Sequence, residues 1–372
     1  MAELRTEELV LNMGPQHPST HGVLRLEVKL DGEVVVDVTP HIGYLHRCFE
    51  KHCEAMNYQQ VIPYTDRMDY LASMYMNYGY VEGMEKFMNI EIPERVKYIR
   101  IIMGELQRIA SHLVAIGTYG IDIGAWTPFL YCFRDRERIL DLFEITCGAR
   151  LLYNYMWIGG VSHDLHPTFV SKCREFLNDF KKTIVELNEL LSTNKIFIER
   201  TANVGILPAD TAINFGATGP VLRGSGVNWD LRKNDPYSIY DRFEFDVITG
   251  TGEKGTLGDC WDRYIVRVRE MEQCIRIILQ ALGSLPEGDV TSAIPKRIKP
   301  PVGEFYFRVE SPKGELGYHI VSDGSLNPFR VKVRAPSFVH LQLMPILCKG
   351  HLVADIIANL GSIDIVLGEI DR

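Results

Sequence analysis

Between residues 23 and 30 apolar and polar side chains alternate, Leu24, Leu26 and Val28 against Arg25, Glu27 and Lys29. This is the period of a strand with one buried face. Asp31-Gly32 and a second run over 33–38 complete a predicted β-hairpin. Beyond it the period lengthens, and helices are predicted over 44–56, 67–77, 81–88, 94–117, 128–152 and 167–191. Pro93 and Pro167 stand where a first helical turn tolerates a missing N–H. Residues 216–258, dense in Gly, Asn, Asp and Pro, predict a long irregular excursion across the surface, and such loops are usually functional or interfacial. A helix over 261–285 follows, then three alternating runs over 304–309, 317–321 and 329–334 that predict antiparallel strands. A helix over 349–360 and an acidic tail over 364–372 close the chain. The fold class is α+β: a large helical-bundle core with an N-terminal β-hairpin and a small C-terminal antiparallel sheet. The expected division is an N-terminal region, 1–43, and a main domain, 44–372.

Composition narrows the function. With 372 residues, 46% of them hydrophobic, the chain can bury a large core. Forty basic against 48 acidic side chains argue against nucleic acid as a partner. No apolar run approaches the roughly 20 residues that span a bilayer, and Met1-Ala2-Glu3 opens no signal peptide. A cytoplasmic protein, or one peripheral to a membrane, is expected. Eight cysteines are scattered without a C-x-x-C pair, which speaks against a zinc or iron–sulfur site within the chain. Cys48 and Cys53, with His46 and His52 nearby, hint weakly at a metal; a reduced, non-ligating pair is the commoner arrangement. No glycine-rich nucleotide loop follows a strand, and Gly120-Ile121-Asp122-Ile123-Gly124 falls between predicted helices. A redox enzyme built on this chain must borrow its electron carrier.

The densest chemistry is in Gly14-Pro15-Gln16-His17-Pro18-Ser19-Thr20-His21-Gly22-Val23-Leu24-Arg25. Two histidines sit on a Pro-rich turn that opens into a strand. Imidazole changes charge near neutral pH, so a histidine on a stiff loop tip suits proton delivery. A loop histidine is also commonly solvated or bonded to a nearby carbonyl. The hairpin is suited to carry both side chains into a cavity.

That loop, with His41-Ile42-Gly43-Tyr44-Leu45-His46-Arg47, Tyr64-Thr65-Asp66-Arg67-Met68-Asp69-Tyr70, Glu105-Leu106-Gln107-Arg108-Ile109-Ala110-Ser111-His112-Leu113, Ile158-Gly159-Gly160-Val161, Gly314-Glu315-Leu316-Gly317-Tyr318, Val321-Ser322-Asp323-Gly324 and Arg334-Ala335-Pro336-Ser337-Phe338, resembles the 49-kDa or D-subunit family of proton-pumping NADH:quinone oxidoreductase, respiratory complex I. The blocks run from residue 14 to the C-terminal part of the chain. The resemblance implies a fold like the large subunit of nickel–iron hydrogenases, with the C-terminal tail in the core. Those enzymes hold their metal with two Cys pairs; the matching positions here are Asp69 and Ala72, and Val366 and Glu369. Nickel and low-spin iron need soft sulfur ligands, so two carboxylates and two apolar residues cannot replace four thiolates. A vacated cavity is implied, with no metal of its own.

By the same resemblance the cavity takes a quinone headgroup, between this chain and a partner subunit that carries an iron–sulfur cluster. His21 and Tyr70 match the donors to the two quinone carbonyls, and Asp122 matches the carboxylate that pairs with the histidine. Arg47, His17, Thr20 and Val366 are implied as further binding residues, Arg47 near the partner's cluster. A doubly reduced quinone is strongly basic, so donors with reference pKa values near 6.5 and 10 can supply its two protons. Each position also has a plainer role: Tyr70 as a core residue of a helical run, Asp122 as a cap or turn former beside Gly120 and Gly124, His17 as a loop brace, Arg47 as half of a surface salt bridge.

Many relatives carry His where this chain has Leu152 and Arg where it has Trp157. Fewer positive groups beside the cluster favour its oxidised form and lower its potential, which points to a low-potential acceptor such as menaquinone. Other expected partners are further peripheral-arm subunits and a membrane-arm subunit forming the quinone channel, on the cytoplasmic side of a bacterial inner membrane. Quinone reduction is expected to drive conformational change in those membrane partners. Rival readings are a membrane-bound hydrogenase subunit, a subunit fed by ferredoxin or reduced deazaflavin, and a non-catalytic scaffold.

Overall fold

The computed structural model describes residues 8–15 and 21–372. Strands β1 (Glu8–Met13), β2 (Arg25–Asp31) and β3 (Val34–His41) form an antiparallel sheet in that order. The predicted hairpin is β2–β3, joined through Gly32 and Glu33 between paired Asp31 and Val34. Sequence pattern missed β1: Leu9 and Val10 are exposed, and only Leu11 and Met13 pack, partly buried, against the core, too few to impose a clear period. Leu24, Leu26, Val28 and Leu30 are buried and share one cluster with Leu343, Met344, Leu360 and Leu367 from the C-terminal helices.

Helices α1 (Phe49–Ala55), α2 (Tyr58–Thr65), α3 (Ser73–Phe87), α4 (Glu94–Asp122), α5 (Trp126–Cys147) and α6 (Phe169–Leu187) follow, with a two-stranded ribbon, β4 (Met156–Trp157) and β5 (Gly160–Val161), before α6. α3 is one helix where two were predicted. Gly79 and Gly83 do not break it; a Cβ there would lie 3.1 Å from the Tyr318 ring and 3.0 Å from Phe307, so glycine lets α3 press against the C-terminal sheet. α4 is buried on nearly every face and is the axis of the molecule. It runs past the predicted end at residue 117 and closes on Asp122, with Gly124 in the left-handed region just beyond. Asp122 therefore stands on the last turn of a helix, not in a connection between helices.

Short helices α7 (Lys195–Thr201), α8 (Ala209–Asn214), α9 (Gly219–Gly224) and α10 (Leu231–Asn234) lead to α11 (Cys260–Gly283). The 216–258 segment, predicted to be irregular and to run across the surface, carries the short helices α9 and α10 between its irregular stretches and does not lie across the surface. It buries Arg223, Asp230, Arg232 and Tyr240. Arg232 bonds Asp230 (2.7 Å), Glu105 of α4 (3.1 Å) and Glu270 of α11 (2.5 Å), while Arg223 reaches Glu270 (3.1 Å) and Glu310 (2.7 Å). Guanidinium groups enter an interior only where carboxylates wait for them. A polar, glycine-rich sequence thus acts here as a buried strut.

Strands β6 (Gly303–Ser311), β7 (Gly314–Ser322) and β8 (Arg330–Arg334) form the predicted C-terminal antiparallel sheet. The predicted closing helix over 349–360 is α14 (Val353–Ile363), which starts four residues later than expected; the unpredicted α12 (Pro336–Leu341) and α13 (Met344–Cys348) precede it and α15 (Leu367–Asp371) follows. Every residue of α15 is buried, despite Glu369 and Asp371.

Candidate functional site

The far end of α4, the connection from α14 to α15 and the turn before α3 meet at a cavity of about 240 Å³. His21, Tyr70, Leu71, Val114, Thr118, Ile121, Asp122, Asp364, Ile365 and Val366 line it. α4 supplies Val114, Thr118, Ile121 and Asp122 at helical spacing, one stripe of an otherwise buried helix. Gly361 makes the close approach of α14 possible. A Cβ there would lie 2.6 Å from the Tyr119 ring and 2.8 Å from Asp122 Oδ2.

His21 Nε2 and Asp122 Oδ2 are 2.6 Å apart, with 14% and 9% of the two side chains exposed. His21 has a left-handed backbone (φ 52°), a conformation usually found where other contacts fix it. Burial opposes charging of the ring, but the hydrogen bond and charge of Asp122, with Asp364 adding to them, outweigh it and raise the His21 pKa above 6.5. The carbonyl end of α4 favours a cation at the same place. The pair is built to keep a proton on the imidazole.

Tyr70 lies in the turn before α3 rather than in the predicted helix, which begins at Ser73. The side chain is 38% exposed, so it is no core residue. Burial of its inner part and the charge of Asp69 raise its pKa above 10, against the lowering effect of Lys313 and Arg47. The phenol keeps its proton at neutral pH and offers it at the cavity mouth.

Val366 is buried, lines the cavity, and donates its N–H to Ser337 Oγ at 3.2 Å. Arg47 sits outside the lining. Its Nη2 donates to the carbonyls of Arg67 (2.8 Å) and Gly368 (2.9 Å), tying the turn before α3 to α15. His17 and Thr20 lie outside the described residues. The positions matching hydrogenase ligands do come together: Gly368 packs against Met68 O, and Asp69 and Glu369 are both fully buried. Lys313 stands 3.0 Å from Asp69, with the charge of Glu369 near enough to favour its ammonium form. An ammonium group in that space repels a metal cation, so these residues do not fit the nickel–iron centre. Among the described residues no group of three or more His, Cys, Asp or Glu side chains could hold a metal ion. Cys48 is exposed and Cys53 buried, both as free thiols.

Sequence reasoning missed Lys313 and Asp364. Pro312-Lys313-Gly314 reads as an exposed hairpin turn, and only tertiary packing buries it. Asp364 reads as part of an acidic tail; it is the left-handed cap that turns α14 toward α15.

An α+β chain with a helical axis, two small antiparallel sheets and a buried C-terminal tail around a His–Asp-lined cavity defines the class. A family model described as respiratory-chain NADH dehydrogenase, 49 Kd subunit, matches residues 122–300 and 292–372. Relatives named as the D subunit of NADH-quinone oxidoreductase are 57% identical in Chlorobaculum tepidum, 56% in Chlorobium luteolum and 57% in Chlorobaculum parvum. Each alignment covers 100% of this chain and 94 or 95% of the relative. The chain belongs to the 49-kDa, or D, subunit family of respiratory complex I.

Proposed function

We propose that this chain, within an NADH–quinone oxidoreductase, forms the quinone reduction site together with a partner subunit that carries an iron–sulfur cluster. The observation that carries the reading is the 2.6 Å His21–Asp122 pair opening on the same cavity as Tyr70. A quinone taking up two electrons from the partner's cluster needs one proton at each carbonyl oxygen. His21 supplies one from its imidazolium, leaving a neutral ring beside the Asp122 carboxylate. Tyr70 supplies the other. Leu71, Val114, Ile121 and Ile365 give the ring an apolar seat, while the polar groups fix its orientation. His17, Thr20, Arg47 and Val366 complete the binding set in this reading.

Loss of the two protons leaves the site more negative, and that change of charge is the signal passed to membrane partners. Among the described residues no helix is long and apolar enough to cross a membrane, which is consistent with a peripheral seat. We place it on the cytoplasmic side of a bacterial inner membrane, against a membrane-arm subunit that forms the quinone channel. Leu152 and exposed Trp157, whose indole donates to Asn154 O at 2.7 Å, supply no titratable group or cation beside the cluster. This supports menaquinone as the acceptor.

Tyr70→Phe in the assembled complex tests the reading. Removal of one positioned acid is expected to cost about 100-fold in quinone reduction, with assembly and reduction of artificial electron acceptors unchanged. Full turnover with native quinone contradicts the donor role.

A further inference from the structure

Behind the cavity stands a second set of titratable groups that the two donors do not use, and the role inferred for them rests on the quinone-site function proposed for this chain. Lys313, in the turn joining β6 and β7, is fully buried, with Nζ 3.0 Å from Asp69, 3.8 Å from Asp364 and 3.2 Å from Ser111 Oγ. Glu369 of α15 accepts the Ser337 N–H at 3.0 Å through Oε1, while its Oε2 is buried with no hydrogen-bond partner among the described residues. Asp364 Oδ2 is likewise buried without one, although Asp364 lines the cavity that His21 and Tyr70 share.

The charges here do not balance. Asp69, Asp364 and Glu369 face Lys313 and, at 3.9 Å from Asp364, Arg267 of α11. Other groups do not close the gap: Arg263 of α11, beside Arg267, is a buried cation offset by the carboxylate of Asp259. Arg47 spends its donors on the Arg67 and Gly368 carbonyls and is open to solvent. Tyr318 of β7 stays neutral because burial holds its phenol well above the usual range. His340 of α12 stays neutral as burial, Arg334 and Arg267 push it down to about 3. Three buried carboxylates against two cations leave one charge uncompensated, and a carboxyl escapes that cost by keeping a proton.

We propose that Asp69, Glu369 and Lys313 form a proton store behind the quinone cavity, opening into it at Asp364, which recharges His21 after each turnover. Glu369 is the group that holds the proton: burial, with Asp69 beside it and against the pull of Lys313, pushes its carboxyl up to about 8. In the transfer the Glu369 O–H bond breaks and its proton passes by way of Lys313 to the Asp364 carboxylate. From there it forms the N–H of a His21 ring that has given its own proton to the quinol. No electron moves in this step. The cluster is left one charge more negative until solvent returns a proton.

The test uses the assembled complex. Glu369→Gln keeps the volume and the Ser337 contact but has no proton to release. Wild-type quinone reduction is expected to fall as pH rises through about 8, where the store empties. The variant is expected to run about tenfold slower at neutral pH and to lack that inflection. Infrared difference spectra on quinone reduction should show loss of a protonated-carboxyl band in the wild type and no such band in Glu369→Gln. If Glu369→Gln fails to assemble, Asp364→Asn serves: the band should be present but unresponsive to reduction. A wild-type rate and pH profile in Glu369→Gln, a carboxyl band that ignores reduction in the wild type, or a responsive band in Asp364→Asn overturns the store. Those results occur with quinone still being reduced. Failure of the quinone-site reading differs, because a quinone analogue then leaves His21 and Tyr70 unlabelled.

Discussion

At the scale of single residues, the site depends on two donors held in opposite ways. His21 is gripped by Asp122 in a left-handed turn, and Tyr70 is half open at a cavity mouth. Asp122→Asn removes the charge that raises the His21 pKa, so the imidazole loses its proton at lower pH than in the wild type. In a Glu369→Gln background, where the store's own inflection is gone, quinone reduction is then expected to fall off at lower pH than with Asp122 intact; an unchanged alkaline limb there contradicts the pairing. The sign for stability is the same. A histidine whose folded pKa is raised contributes fully below about 6.5, and its contribution fades as pH rises through the raised value. Asp122→Asn should flatten that slope in pH-dependent melting.

At the scale of elements, close approach and buried charge decide the geometry. Gly361→Ala puts a methyl 2.8 Å from Asp122 Oδ2 and 2.6 Å from the Tyr119 ring. Overpacking of this kind costs about 1–3 kcal/mol, so thermal melting should drop and quinone reduction should fall as Asp122 is displaced; unaltered activity contradicts the tight seam. Arg232→Met takes the shared guanidinium from Glu105, Asp230 and Glu270 and leaves these three buried carboxylates with only Arg108 and Arg223 between them. A loss of about 3–5 kcal/mol is expected from such a broken network, measured by denaturant unfolding. The sequence made the long helices and the C-terminal strands legible, α4 and α11 through the length of their apolar helical pattern and β8 through its alternation. It hid α3's continuity, since glycines chosen for packing against Tyr318 and Phe307 look like breaks. It hid the buried path of residues 216–258, since a solvated loop and an ion-paired strut share one composition. His21 stands out in the Pro-rich loop, but only the resemblance joins it to Tyr70 and Asp122, since spacing alone does not bring together residues so far apart in the chain. Lys313 was invisible because a lysine in a Pro-Lys-Gly turn normally points to water.

At the scale of the whole molecule, the C-terminal segment joins everything. Residues 364–369 contribute Asp364, Ile365 and Val366 to the cavity and Glu369 to the buried cluster, while Leu367 packs with the N-terminal sheet. Leu152 and Trp157 carry the proposal that the partner's cluster lacks a nearby titratable group. Redox titration of that cluster in the complex should give a low and nearly pH-independent midpoint; a high, strongly pH-dependent one contradicts the menaquinone assignment. The most direct test of the central claim is photoaffinity labelling of the assembled complex with a quinone analogue, with and without excess native quinone. The account predicts crosslinks at His21 and Tyr70 that native quinone suppresses. Crosslinks confined elsewhere, or insensitive to competition, contradict it.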